Sequence, residues 1–301
     1  MKTRYFQYSY IALVIFYIAL VALTPVDTQT MSRYNLSEPV VRLIGLSVSI
    51  PLTLIWLVAL YGYSRFKSYA ELIVDEKEGE AFGAIANGLM ALVVSLPVIS
   101  LASMMLNRIS ENSPNLETVT TIVGSYLPIV FQLAAFVLLA HGAIKLLSTV
   151  KPKHNITHSP AVMFGIIAFT SIFTYIIVAR PFGGTVAENY AMPAWLVTVS
   201  IIVPLTFAWY MGGLAIYSLY VYRHKTRGIV YRRMLNSLVA GLGTIVMLSI
   251  IIQIVVSIAE QLTRLNFTPL LGIIYLLIAF YAVGYGLVAK GAHQLRKIEE
   301  V

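Results

Sequence analysis

Eight stretches of this 301-residue chain contain no Asp, Glu, Lys or Arg: 5–26, 43–64, 81–107, 118–144, 154–179, 189–222, 234–259 and 265–289. Each is dominated by apolar residues and can hold the ~20 that a helix needs to cross a hydrocarbon core of ~30 Å. Strict apolar–polar alternation, the mark of a membrane barrel strand, is missing from all eight. Only helices and closed barrels satisfy the backbone in lipid, so the pattern predicts an all-α integral membrane protein with eight transmembrane helices. The spans are expected near 6–25, 41–63, 81–106, 120–147, 161–178, 193–222, 235–259 and 269–289. For the first, a cleaved signal peptide ending near Ala19–Ala22 is the rival reading, weighed against its length and its Tyr and Phe content.

Inside two of these runs a short motif recurs. Pro51-Leu52-Thr53-Leu54-Ile55-Trp56 is matched 153 residues later by Pro204-Leu205-Thr206-Phe207-Ala208-Trp209. With 12 Pro and 3 Trp in the chain, two copies of Pro-Leu-Thr-x-x-Trp exceed what chance supplies. The same offset sets Tyr69 on Tyr222, Ala84 on Ser237, Gly88 on Gly241 and Val93 on Val246. Near the ends of the halves, Phe136 and Gly142 match Phe280 and Gly286 at an offset of 144. The chain therefore reads as a duplication, residues 1–150 forming one four-helix membrane repeat and 151–301 the second. Four spans per copy put both copies in the bilayer with the same orientation, related by a pseudo-twofold axis along the membrane normal.

Composition sharpens the class. The chain is 58% hydrophobic and 11% charged, with a mean hydropathy of +0.81, values no soluble domain approaches. Its net charge of +8 is explained by topology. Sixteen of the 21 Lys and Arg fall on alternate connections and the termini; only Arg33, Arg42, Arg108, Arg180 and Arg264 fall on the other side. The positive-inside rule then places both termini in the cytoplasm, with the plasma membrane the expected location. The basic excess can also attract anionic lipid at the cytoplasmic face, and no nucleic-acid partner is expected. The chain has no Cys, so thiolate chemistry, disulfides and iron–sulfur clusters are excluded.

Candidate chemistry is sparse. Pro51 and Pro204 each remove a backbone donor and are expected to kink their helices, while Thr53 and Thr206 return a hydroxyl to a carbonyl one turn back. Gln132 and Gln253 lie near mid-membrane. Together with the two Thr they would line a polar lumen if the halves enclosed one; helix packing is the alternative. Ala84-x-x-x-Gly88 and Ser237-x-x-x-Gly241 are small-residue pairs suited to close helix approach. His154 and His158 share the i, i+4 spacing of a metal pair but have no further ligand nearby, so no metal or cofactor is expected. His141 faces no intramembrane carboxylate, and Glu260 with Arg264 has the spacing of a helical ion pair.

Connections 67–80 and 220–233 correspond at the 153 offset and carry opposite charge. That suggests a clasp, with Glu71, Asp75 and Glu78 facing Arg223, Arg227 and Arg232. No span contains an Asp or Glu to carry a coupling ion, and no catalytic constellation is visible, so an enzyme is not expected. Two functions remain. One is a non-catalytic membrane module binding lipid or partner membrane proteins in assembly or sensing. The other is a passage for a neutral or lipid-like solute between the two halves.

Overall fold

The computed structural model describes residues 2–23, 35–112, 117–150, 168, 172, 194–226, 228–257 and 267–299. Seven helices make up nearly all of this: α1 Lys2–Leu23, α2 Glu38–Leu72, α3 Glu76–Asn112, α4 Glu117–Val150, α5 Ala194–Lys225, α6 Ile229–Ser257 and α7 Phe267–Glu299. Each of the seven contains a segment long and apolar enough to cross a membrane, and no strand occurs among the described residues. The protein is an all-α, multi-pass membrane protein. The span expected at 161–178, apart from residues 168 and 172, and the His154/His158 and Glu260/Arg264 pairs lie outside the described residues.

Local chemistry sets the helix ends. Ser37 precedes α2 in extended conformation, Pro39 occupies its first turn, and Glu38 pairs with Arg42 at 2.8 Å. Arg42 also donates to the Ala22 carbonyl, tying the start of α2 to the end of α1. At α3, the Asp75 carboxylate accepts from the Glu78 backbone N–H at 2.9 Å, a side-chain N-cap worth about 1 kcal/mol. Glu76 and Glu78 in the first turn complement the helix dipole.

Six helices close a ring. α2 packs on α3, α3 on α4, α4 on α5, α5 on α6, α6 on α7, and α7 returns to α2; α1 lies outside against α2 and the edge of α3. Lipid supplies no hydrophobic drive between helices, so close backbone approach must hold them. A Cβ on Gly88 would stand 2.9 Å from the Ala135 carbonyl, and one on Gly142 2.7 Å from the Ala81 carbonyl, so α3 and α4 touch main chain to main chain. The α6–α7 seam is built the same way: a Cβ on Gly241 would meet the Gly284 carbonyl at 2.8 Å, and one on Gly291 the Met234 carbonyl at 3.1 Å. Around these seams Trp56, Phe66, Phe82, Phe136, Leu219 and Met234 are sealed from solvent.

The two glycine seams share a spacing. Ala81 and Met234, like Ile85 and Leu238, are 153 apart. Gly142 stands against the first member of each pair and Gly291 against the second, whereas a Cβ on Gly286, the expected match of Gly142, would meet nothing within 4 Å. Gly142 and Gly291 are 149 apart. That offset aligns Ala140-His141-Gly142-Ala143 with Ala289-Lys290-Gly291-Ala292, and it pairs Phe136 with Tyr285 and His141 with Lys290. His141 and Lys290 are both exposed on the bundle surface.

Pro51, Pro97, Pro128 and Pro204 all lie inside helices that continue through them. A proline at i leaves the carbonyl of i−4 without its helical donor. For Pro97 that carbonyl belongs to Val93, and the buried Tyr10 of α1 donates its hydroxyl to it at 3.0 Å. One bond thus satisfies an orphan acceptor and a buried phenol together, and it fastens α1 to α3. Phe6 on Tyr63 and Tyr17 on Trp56 complete the α1 contact, with ring centroids 5.4 and 4.9 Å apart.

Candidate functional site

The repeated motif occupies equivalent places on α2 and α5. Thr53 donates its hydroxyl to the Ile50 carbonyl at 2.8 Å, the expected return to its own helix, and Thr53 and Thr206 are both buried. Trp56 and Trp209 are buried as well, and neither indole N–H has an acceptor. Of the expected lumen set, Gln132 turns a buried Oε1 that has no partner, and the side chain of Gln253 lies outside the described residues. Thr53 thus commits its proton to its own helix, and its oxygen is left as an acceptor only.

In both copies the motif extends one turn further toward the N-terminus. Ser47 and Ser200 stand four residues before Pro51 and Pro204. Ser47 Oγ donates to the Ile44 carbonyl at 2.8 Å, so it accepts from the hydroxyl of Tyr275 on α7. Ser200 Oγ meets the hydroxyl of Tyr126 on α4. The serines are 153 apart and the tyrosines 149, the same two offsets that the glycine seams require. Matching Ser-x-x-x-Pro-Leu-Thr-x-x-Trp was available in the sequence as the signal for this pair.

At the other end of the ring, Glu78 of α3 meets α5 and α6 through two tyrosines. The Glu78 carboxylate accepts from the Tyr231 hydroxyl at 2.7 Å and from the Tyr222 hydroxyl at 3.3 Å. Phe82 sits edge-on between Tyr69 and Tyr231, 5.1 and 6.2 Å away. Glu71 pairs with Lys67 along its own helix at 3.7 Å, and Asp75 is engaged as the α3 cap. Arg223 lies over the Tyr220 ring at 5.7 Å, and Arg232 donates to the Thr226 carbonyl at 2.6 Å. Arg227 lies outside the described residues. Among the described residues Glu78 is held by two phenols, and no ion pair joins Glu71, Asp75 or Glu78 to Arg223 or Arg232. The site is half-buried, and a neutral donor enters it without the desolvation cost of a guanidinium.

A groove of about 440 Å³ runs between α1 and α2. Gln7, Ser64, Arg65 and Ser68 line one end, and Ile11 and Leu57 the other. The Arg65 guanidinium lies 5.4 Å from the centroid of the Tyr61 ring, whose hydroxyl meets His293 Nδ1 of α7 at 2.9 Å. No sequence pattern marked this groove, because it depends on how α1 lies on α2.

Neither a known protein family, nor a curated protein, nor a solved structure matches this chain.

Proposed function

We propose that this protein is a non-catalytic membrane module that binds lipid or partner membrane proteins, in assembly or sensing, and does not carry solute. One observation carries this reading: several polar side chains at membrane depth tie helices to one another or return to their own backbone. Thr53 returns to Ile50, Ser47 and Ser200 take the hydroxyls of Tyr275 and Tyr126, and Tyr10 serves the carbonyl freed by Pro97. A translocation path needs exchangeable polar groups facing a common space. The alternative, a passage for a neutral or lipid-like solute between the halves, draws on the unpartnered Oε1 of Gln132.

The architecture belongs to the same proposal. Eight spans, 161–178 being the additional one, form two parallel repeats, with both termini in the cytoplasm and the plasma membrane as the site. The two glycine seams, the two Ser–Tyr pairs and the ring order, in which α2–α3–α4 is answered by α5–α6–α7, support the duplication. The sixteen-to-five division of Lys and Arg supports the orientation. Purified protein in vesicles, followed by light scattering after osmotic challenge with glycerol, urea or neutral amino acids, tests the function. No acceleration over protein-free vesicles is expected. A clear acceleration would decide for the passage.

A further inference from the structure

The groove between α1 and α2 is amphipathic along its length. α1 and α2 run antiparallel here, so Gln7 lies level with Ser64, Arg65 and Ser68 at one end, and Ile11 with Leu57 lies deeper. From Arg65 to Leu57 the rise along α2 is about 12 Å, the distance from a phosphate plane into the first part of an acyl chain. Tyr8 and Tyr61, on opposite walls, mark the level of the membrane interface.

The polar end has a definite donor and acceptor pattern. Among the described residues no carboxylate lies within ion-pair distance of Arg65. Its cation rests on the face of Tyr61, which leaves the guanidinium N–H edge free to donate. Ser64 Oγ donates to the Leu60 carbonyl at 2.8 Å and Ser68 Oγ to the Ser64 carbonyl at 3.0 Å. Their protons are committed, so these oxygens can only accept. A fitting ligand brings an anionic acceptor for Arg65, donors for the serine oxygens, and a hydrocarbon tail for Ile11 and Leu57.

We propose that this groove holds one glycerophospholipid, its phosphate on Arg65 and a hydroxyl- or ammonium-bearing headgroup on Ser64 and Ser68. This rests on the lipid-binding reading above and narrows it to one site and one ligand class. Selectivity resides in the headgroup, because an acyl chain gains little by leaving bilayer hydrocarbon for an apolar groove. A choline headgroup offers the phosphate but no donor, and is the discriminating control.

The test uses the full-length protein in phosphatidylcholine vesicles doped with equal minor fractions of phosphatidylglycerol and phosphatidylethanolamine. After extraction in mild detergent, native mass spectrometry counts the lipids that each chain retains. One phosphatidylglycerol or phosphatidylethanolamine per chain is expected, enriched about tenfold over phosphatidylcholine, the scale of one hydrogen bond to a charged group. Arg65→Gln should lower retention of all three lipids, which share the phosphate, and Arg65→Lys should restore part of it. Leu57→Trp should also lower retention of all three, and Ser68→Ala should lower the enrichment. Equal retention of the three by the unaltered protein would overturn the proposal, as would Arg65→Gln with its retention intact. Should Arg65→Gln fail to fold, Ser68→Ala decides: it should lower the enrichment, and an unchanged value counts against the site. Solute flux in the same vesicles separates the two ideas. Flux together with Arg65-dependent retention and headgroup enrichment defeats only the carrier-free reading; no flux and no enrichment defeats only the lipid site.

Discussion

The hydroxyl of Tyr275 on α7 donates to Ser47 on α2, one helical turn before Pro51, and the hydroxyl of Tyr126 on α4 is hydrogen-bonded to Ser200 on α5, one turn before Pro204. Each pair joins the last helix of one half to the first membrane-crossing helix of the motif in the other. The ring is closed twice by one device. Interhelical hydrogen bonds in membranes average about 0.6 kcal/mol, so Tyr275→Phe and Tyr126→Phe should each destabilise by roughly that amount. The two sites share no partner, so the double variant should show the sum. Unfolding in mixed micelles measures all three, and marked non-additivity would mean that the pairs are not independent ties.

Tyr10 permits a sharper test. Tyr10→Phe leaves the Val93 carbonyl without a donor, because Pro97 cannot supply one. An orphaned buried acceptor costs about 1–3 kcal/mol. Pro97→Ala restores a backbone N–H at the helical distance. The loss from Tyr10→Phe should therefore be much smaller when Pro97→Ala is already present. Equal losses in both backgrounds would show that the tyrosine acts by packing alone.

The glycine seams make opposite demands of near neighbours. Gly88→Ala and Gly241→Ala would drive a Cβ into backbone at 2.9 Å or less, and overpacking of this kind costs typically 1–3 kcal/mol. Gly286→Ala and Gly83→Ala meet open space and should be neutral or slightly stabilising. A destabilised Gly286→Ala would favour the 144 register over the 149 one.

Much of this was legible from residues alone, but unevenly. Charge-free runs mark spans because lipid tolerates nothing else, and seven of the eight are helices in the described residues. Pro-Leu-Thr-x-x-Trp carried the 153 offset because Pro and Trp are rare in this chain and each copy is constrained by its helix. The 144 offset rests on one Phe and one Gly, whereas the Ala-x-Gly-Ala at each seam, with a tyrosine fourteen residues upstream, recurs at 149. Tyr10 could not be foreseen, since its acceptor lies 83 residues away and is exposed only by the packing of α1. Opposite loop charges suggested an ionic clasp, but charge counts say nothing about burial, and it is burial that favours the phenols.

Topology has a direct assay. Reporter fusions after residues 30, 70, 115, 155, 186, 228 and 263 should alternate between outside and inside, beginning outside. Two adjacent fusions on the same side would remove a span and with it the parallel arrangement of the halves.

The last prediction separates a phenol tie from an ionic one. Glu78 of α3 accepts from Tyr231 and Tyr222, and these two bonds link the first half to the second at the end opposite the Ser–Tyr pairs. A hydrogen bond to a charged acceptor is worth about 1.5–3 kcal/mol, so Glu78→Ala should cost roughly 2 kcal/mol or more. Tyr231→Phe should cost most of that, because its bond is the shorter. Arg223→Glu and Arg232→Glu should leave this end of the ring unchanged, since Arg223 rests on Tyr220 and Arg232 on the Thr226 carbonyl. Salt provides the second readout. An exposed ion pair weakens as the Debye length falls from ~10 Å at 0.1 M to ~3 Å at 1 M, whereas a bond from a neutral phenol to a carboxylate is screened far less. The cost of Glu78→Ala, measured by unfolding the full chain in neutral micelles, should therefore be nearly the same at both ionic strengths. A cost that collapses in high salt, with matching losses from Arg223→Glu, would restore the arginine clasp.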